Sequence, residues 1–284
     1  MKVQISPRRC AIALTGIVAT IALAAMDAGG TEPRKVGTDS IPDFYDSLYA
    51  GESVPDTLHV SGRDAVPFGV GEKLRYSIQY GLIKAGKATL EVRNLAEIDS
   101  AWCYRIVSNS RTSSFFSKIY KVRDRYESYM DTTELYSRRY EKHIREGKYR
   151  KDEVVRFDQK KHVAMYANKS VPIAPRTQDV LSALYYVRTL PLEVGQSIAV
   201  PNHTDGRNYP LVIRVHRRER VTVEAGTFDC LVVEPILRGP GLFSQKGRLT
   251  VWVTDDTNKI PVLMRSKMVI GHVSAVLKDY KLSR

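Results

Sequence analysis

The residues that could carry chemistry are scattered along this chain without the spacings that known chemistry uses. Its six histidines form no H-E-x-x-H motif and its three cysteines form no C-x-x-C pair, and both spacings are typical of zinc sites. No G-x-S-x-G elbow, P-loop or dinucleotide fingerprint occurs, although a catalytic triad can also assemble from distant strands. The sequence therefore predicts no metal site, no cofactor and no catalytic residue.

Four charged residues keep an enzyme open as an alternative. Asp255 and Asp256 follow a strand-like run and could bind calcium or act as acid and base, but aspartate is also favoured in turns. Asp179 and Arg188 lie nine residues apart on one predicted helix, so they could flank a substrate. The helix dipole explains the same two charges. We favour the turn and dipole interpretations, and a hydrolase or isomerase assembled from distant strands is the alternative.

Basic and aromatic residues favour binding over catalysis. The stretch from Arg138 to His162 holds ten Lys and Arg residues with tyrosines among them, which would suit phosphate or sugar groups. Interspersed acidic residues make an ordinary solvated face the favoured interpretation of that stretch. Tyrosine is abundant, 16 residues against 7 Phe, and in a curved sheet it can line a cavity. We name as candidate ligand-binding residues Tyr76, Tyr80, Tyr185, Arg188 and Trp252.

The N-terminus has the order of a secretory signal. Basic residues precede an apolar run from Cys10 to Met26, and Ala22-Leu23-Ala24 supplies an A-x-A cleavage site. We expect residues 1–24 to be a cleaved signal peptide and the mature protein to be periplasmic. An uncleaved membrane anchor is the alternative, because the run is marginal for a span.

The chain is strongly basic, with a net charge of +13 at pH 7. An exported basic protein meets anionic lipid, lipopolysaccharide or cell-wall glycan before it meets nucleic acid. Those anions are the expected partners, an envelope protein is another, and no nucleic acid is expected.

Cys103 and Cys230 would be the only thiols of the mature chain, since Cys10 lies in the signal segment. Both lie in strand-like runs, and an exported protein meets an oxidising compartment. They could form one long-range disulfide or remain two buried apolar thiols far apart.

The hydrophobic pattern predicts one β domain. Residues 25–67 are polar and rich in turn residues, typical of a flexible linker, within which Ile41–Tyr49 could form a short amphipathic helix. Residues 68–284 alternate apolar and polar side chains in about a dozen short runs, which predicts an antiparallel meander forming a curved sheet, half-barrel or barrel. Among these predicted strands are Ile119–Tyr129, Leu211–His216 and Val221–Glu224. One amphipathic helix, expected over about 178–189 with Thr177 as its cap, would cover that sheet.

Four stretches carry a family resemblance. They are Phe68 to Ala88, Gln178 to Arg188, Ala225 to Cys230, and Val251 to Asp256 followed by Ile260-Pro261-Val262. Together they resemble the DUF3108 family of exported bacterial proteins, over about residues 68–280. The family has no established activity, so the resemblance implies relatives and a fold but no reaction. The layout is also similar to that of the LolA and LolB lipoprotein carriers, unclosed barrels whose helices cover a hydrophobic cavity, an analogy that does not fix a function.

These observations favour a non-catalytic envelope protein that binds an amphiphile, either lipid or lipoprotein, or a glycan within a curved sheet. The predicted helix would form part of the lid, and the basic face would meet anionic head groups. A scaffold in an envelope assembly, using an exposed sheet edge, is a further alternative beside the enzyme.

Overall fold

The computed structural model describes residues 66–237, 249–267 and 271–283. The predicted signal peptide and Ile41–Tyr49 lie outside the described residues. The strands are β1 (Lys73–Tyr80), β2 (Ile83–Ile98), β3 (Ala101–Thr112), β4 (Arg123–Asp131), β5 (Ser137–Glu146), β6 (Tyr149–Asp158), β7 (Val163–Met165), β8 (Ser170–Pro172), β9 (Ser197–Thr204), β10 (Arg207–Val223), β11 (Gly226–Leu237), β12 (Leu249–Thr254), β13 (Pro261–Lys267) and β14 (His272–Lys281). The helices are α1 (Ser114–Ser117) and α2 (Val180–Thr189).

All 14 strands belong to one antiparallel sheet in the order β8-β7-β6-β5-β4-β3-β2-β1-β14-β13-β12-β11-β10-β9. The predicted mainly β fold is confirmed, and the sheet is curved but unclosed, because β8 and β9 are its two edges and do not pair with each other. Among the described connections, two contain a helix: α1 lies between β3 and β4, and α2 lies between β8 and β9. One isolated parallel bridge, between Gln178 and Asn202, attaches the start of that connection to β9.

The alternating pattern places one face of each strand in the core. In β1, Leu74 and Tyr76 are buried while Arg75 is exposed. The hairpin from β1 to β2 turns at Gly81, whose φ of +57° lies in the left-handed region that glycine tolerates best. Gly86 on β2 lies so close to β3 that a Cβ there would collide with the carbonyl oxygen of Arg111.

The helix predicted over 178–189 is α2, but its cap is Asp179 and not Thr177. The Asp179 carboxylate accepts hydrogen bonds from the backbone N–H groups of Leu181 at 2.8 Å and Ser182 at 2.9 Å, and the Ser182 hydroxyl accepts from the Asp179 N–H at 2.9 Å. This reciprocal arrangement is a capping box. The Thr177 hydroxyl instead donates to the carbonyl of Ala174 at 2.7 Å.

Two local predictions are wrong, and one strand is missing from the predicted set. The run Ile119–Tyr129 was expected to be strand throughout, but β4 begins only at Arg123, after α1 and a short connection. The two runs expected near 211–216 and 221–224 form a single strand, β10, because a bulge between Val215 and Arg217 carries the strand on. The short strand β8 was not predicted.

Cys103 and Cys230 are both buried and free, so the disulfide that the sequence allowed is not formed. Cys103 lies on β3 and Cys230 on β11, and five strands separate these two in the sheet. Burial raises the pKa of the Cys103 thiol to about 12 and that of Cys230 to about 11. In the described part of the chain, neither helix has the length and apolar character that a membrane crossing requires.

Candidate ligand cavity

A cavity of about 90 Å³ lies between α2 and the concave face of strands β9 to β13. Its wall is almost entirely apolar. The helix contributes Val180, Ala183, Leu184 and Val187, and the strands contribute Leu211, Ile213, Val233, Pro235, Leu249, Val251, Val253 and Met264. The amphipathic stripe predicted from the sequence therefore forms one wall of the cavity.

Four polar side chains reach this apolar wall: Arg188, Asn202, Thr204 and Lys259. The Thr204 hydroxyl is buried and has no hydrogen-bond partner among the described residues, which is costly for a polar group. Asn202 is occupied, because its side-chain amide donates to the carbonyl of Gln178 at 3.2 Å. Thr204 thus offers a free hydroxyl to any ligand with a polar atom.

Lys259 lies in the turn between β12 and β13, in a left-handed conformation with φ of +45°. Its side chain has no ion-pair partner within the described part of the chain, and burial lowers its pKa. The turn is held by Asp256, whose Oδ1 accepts from the N–H groups of Asn258 at 2.9 Å and Lys259 at 3.0 Å. Asp255 accepts from Arg218 at 2.6 Å. These contacts match the turn interpretation of the Asp255-Asp256 pair.

Arg188 is neutralised by a buried carboxylate. Its guanidinium donates two hydrogen bonds of 2.7 Å to the two oxygens of Glu72, and both side chains are at most 1% exposed. The Nε of Arg188 also donates to the carbonyl of Asn258 at 3.0 Å, and the guanidinium lies 4.9 Å from the centre of the Tyr185 ring. This forked pairing, which only Arg can make, joins the end of α2 to the start of β1 and to the turn that carries Lys259.

Asp179 at the other end of α2 is fully buried. Besides capping the helix, its carboxylate accepts hydrogen bonds of 2.6 Å from Ser128 on β4 and Ser137 on β5. Burial raises the pKa of Asp179, although those hydroxyls and the helix N–H groups oppose the rise. Asp179 and Arg188 therefore contact different parts of the sheet and do not face one substrate position.

Of the five candidate ligand-binding residues, Arg188 alone lines the cavity. Tyr76 is buried beside it and donates its hydroxyl to the carbonyl of Pro261 at 2.8 Å, while Tyr185 packs edge-on against Phe68 with ring centres 4.8 Å apart. Tyr80 is half-buried and Trp252 is buried, with its ring 5.4 Å from the Arg265 guanidinium. Neither side chain lines the cavity.

A buried polar seam lies where the turn between β9 and β10 meets β5 and β6. Lys142, only 1% exposed, pairs with Asp205 in that turn, and Lys151 lies 3.4 Å from the same carboxylate. Burial opposes ionisation of Asp205, but the two lysines outweigh it and hold its pKa below the ordinary value. Part of the basic stretch at 138–162 therefore bridges the opening of the sheet instead of facing solvent.

A histidine network extends the seam. The Nε2 of His203 lies 2.8 Å from the Tyr166 hydroxyl and its Nδ1 lies 2.6 Å from the side-chain oxygen of Asn208. The Gly206 N–H donates to the same Tyr166 oxygen at 2.8 Å. Since Asn208 offers an acceptor, Nδ1 carries the proton and Nε2 accepts from Tyr166. Burial lowers the pKa of His203, which favours this neutral form.

Glu127, Glu141 and His143 come together on the sheet, with potential ligand atoms within 4.8 Å of one another. Arginines already neutralise the carboxylates. Arg105 lies 2.7 Å from Glu127 and Arg139 lies 2.7 Å from Glu141. A cation at this position would have to displace these pairs, so the cluster is an ion-pair network.

The protein is a β-barrel-like half-barrel with a helix across its concave face and an apolar space beneath the helix. The chain belongs to DUF3108, a family of proteins of unknown function whose profile matches residues 75–278, and the resemblance read from the sequence is confirmed.

One solved structure supports the fold assignment. The chain is similar to a β-barrel-like protein of the DUF1849 family from Brucella abortus, with a TM-score of 0.53, 11% identity, and coverage of 76% of this chain and 99% of that one. A DUF1089 family protein from Pseudomonas aeruginosa is more distant, with a TM-score of 0.33 and 10% identity over 60% of this chain and 85% of that one. At such identities the likeness concerns the fold alone. A comparison with curated proteins gives no match.

Proposed function

We propose that this protein is an exported envelope protein that binds the apolar part of an amphiphile, a lipid or the acyl chain of a lipoprotein, in the cavity under α2. The observation that carries the proposal is the cavity wall, built from apolar side chains of both helix and sheet. A glycan needs a wall rich in hydrogen-bonding groups, whereas an acyl chain needs an apolar one with few polar groups. The apolar wall favours the acyl chain.

The size of the cavity limits what it holds without rearrangement. An engineered apolar cavity of about 150 Å³ binds benzene, so the present space of about 90 Å³ admits only the end of a chain. A whole acyl chain requires the walls to move apart. The ligand-free form is therefore expected to be the contracted one.

The polar groups at the wall suggest how the ligand is oriented. Glu72 already neutralises Arg188, which leaves Lys259 as the positive charge available to an anionic head group. Thr204, on the edge strand β9, supplies a hydroxyl. An amphiphile with an anionic or carbonyl-bearing head fits these two groups better than a neutral hydrocarbon does.

The export part of the proposal rests on the signal-like N-terminus and the basic charge of the chain. A cavity for acyl chains is useful to a protein that works between membranes, where free lipid is insoluble. The same features fit a carrier or a sensor of envelope lipid.

The test is native mass spectrometry of the protein purified from its own envelope, followed by denaturing lipid and glycan extraction. A stoichiometric amphiphile is expected. Replacing the cavity-lining Leu184 by Trp fills the space and should reduce the co-purified amphiphile at least about tenfold, whereas Val194→Trp, at an exposed position outside the cavity, should leave it unchanged. An empty wild-type protein, or equal retention by both variants, would contradict the proposal.

A further inference from the structure

One end of the sheet carries a row of exposed apolar side chains. They are Leu82 at 99% exposed, Ile83 at 58%, Phe115 at 68%, Ile119 at 73% and Tyr149 at 53%. Single exposed apolar residues are ordinary on soluble proteins, but a contiguous group marks an interaction surface. The five side chains of this row come from three separate segments of the chain.

Backbone hydrogen bonds hold these three segments side by side. The Ser113 N–H, just before α1, donates to the Ala85 carbonyl next to the β1–β2 turn at 2.8 Å. The Gly147 N–H in the β5–β6 turn donates to the Lys121 carbonyl, after α1, also at 2.8 Å. The β1–β2 turn, α1 and the β5–β6 turn therefore form one continuous surface at the ends of their strands. We call it the tip surface (residues 81–85, 113–121 and 147–150).

Positive charge surrounds the tip surface. Seven exposed basic side chains there have no ion-pair partner within the described part of the chain: Lys87, Arg111, Lys118, Lys121, Arg123, Lys148 and Arg150. Asp124 and Glu146 in that region are buried and Glu224 pairs with Lys84, so none of these carboxylates forms an ion pair with the seven cations. The result is a basic rim around apolar tips.

Three of these cations face one another across the sheet. Lys87 on β2 lies directly opposite Arg111 on β3, and Arg111 lies directly opposite Arg123 on β4. Like charges at directly opposed positions repel and destabilise a sheet. No acid relieves this repulsion in the described structure, so the arrangement favours an external anionic partner.

We propose that the tip surface docks onto the surface of an anionic lipid bilayer. Apolar and aromatic side chains from the turns and α1 enter the head-group region, while the basic rim meets lipid phosphates. A bilayer fits better than a protein partner, because the apolar groups are protruding turns and a one-turn helix, not a groove or a flat face that a folded partner could cover. The proposal is independent of what the cavity under α2 binds.

The test is co-sedimentation of the purified protein with vesicles of phosphatidylcholine alone or mixed with phosphatidylglycerol. Binding is expected to require phosphatidylglycerol and to fall as salt rises. The triple variant Leu82→Ser/Phe115→Ser/Ile119→Ser should bind about tenfold or more weakly. The matched control Leu95→Ser/Val154→Ser/Val194→Ser removes three exposed apolar side chains outside the tip surface and should bind like the wild type.

A second pair of variants tests the charge. Lys87→Gln/Arg111→Gln/Arg123→Gln should weaken binding at least about tenfold while leaving thermal stability equal or higher, since it removes mutual repulsion. The control Lys160→Gln/Lys161→Gln/Lys281→Gln changes the net charge equally and should bind normally.

Three results would overturn the proposal: equal binding to neutral vesicles, equal losses in test and control variants, or no vesicle binding by the wild type. Capture of an envelope protein through the tip surface without vesicle binding falls under the third. Circular dichroism of each variant verifies that it is folded, so a loss of binding is assigned to the surface.

Discussion

The buried pair between Arg188 and Glu72 gives the sharpest test of the described core. Replacing Arg188 by Met removes two hydrogen bonds of 2.7 Å to Glu72 and one of 3.0 Å to the Asn258 carbonyl. It leaves a carboxylate that is 0% exposed without its counter-charge. Stripping one partner from such a pair costs about 3–5 kcal/mol, so the free energy of unfolding should fall by that amount.

Three further variants separate the contributions of the pair. Arg188→Lys keeps the charge but cannot bond both carboxylate oxygens and the Asn258 carbonyl together, so it should cost about 2 kcal/mol. Glu72→Gln strands the guanidinium instead and should cost about 3–5 kcal/mol. The double variant Glu72→Gln/Arg188→Met carries no buried charge, so it should be more stable than the sum of the single losses predicts, by about 2 kcal/mol or more.

Urea unfolding followed by circular dichroism measures the free energy of unfolding of the wild type and the four variants under the same conditions. The control is Arg220→Met, whose partner Asp229 is exposed, so solvent screens the pair and its loss should change stability far less. If Arg188→Met costs no more than this control, the pair is solvated in solution and the reasoning fails. It also fails if the loss in the double variant Glu72→Gln/Arg188→Met equals the sum of the two single losses.

Three other substitutions and treatments have definite expected outcomes. Burial, with the neighbouring Glu146, raises the pKa of Asp124 from 3.8 to about 7, so its contribution to stability is complete at low pH and lost as the pH rises through about 7. Asp124→Asn should flatten that decline in the free energy of unfolding, measured by urea titration at several pH values. An unchanged slope would contradict the prediction. The thiols of Cys103 and Cys230 should resist a thiol-reactive dye in the native protein and both react after unfolding, whereas a mass two protons lighter than the reduced chain would reveal a disulfide. Gly86→Ala should destabilise the fold by about 1–3 kcal/mol in thermal unfolding, and a variant as stable as the wild type would show that β2 and β3 lie further apart.

Much of the fold could be predicted because its signal is local. Alternation of apolar and polar residues sets the strands, and the stripe of Val180, Leu184 and Val187 sets α2. The errors have local causes too. The capping residue is the one whose side chain accepts hydrogen bonds from the first N–H groups of the helix. Asp179 does so, whereas the Thr177 hydroxyl donates to Ala174. A bulge such as that in β10 leaves the alternation broken, so one long strand is read as two.

The site was harder to predict because its contacts span the chain. Glu72 and Arg188 are 116 residues apart, and no pattern in the sequence joins them. Thr204 and Lys259 both reach the cavity because β9 and the turn between β12 and β13 lie close to the same helix. Tyr76 and Tyr185 were chosen for their aromatic character, which in a tightly packed core marks burial as often as binding.

The contacts of α2 predict which wall of the cavity yields to a ligand. Asp179 fixes the start of the helix to β4 and β5, and Arg188 fixes its end to Glu72. Lifting the helix would expose both buried charges. The facing wall has no comparable anchor, because β12 carries no charged side chain and joins β11 through backbone pairing, from Cys230–Thr254 to Val233–Val251, and apolar packing.

The cavity is therefore expected to widen by separation of β11 from β12, with α2 staying in place. In hydrogen exchange of the ligand-free protein, the amides of Val251 and Val253 should exchange faster than those of Ala183 and Leu184. Filling the cavity with an amphiphile should change exchange in β12 and leave α2 nearly unaltered. Faster exchange in α2 than in β12 would show that the helix is the moving lid, and would place the way into the cavity between α2 and the sheet.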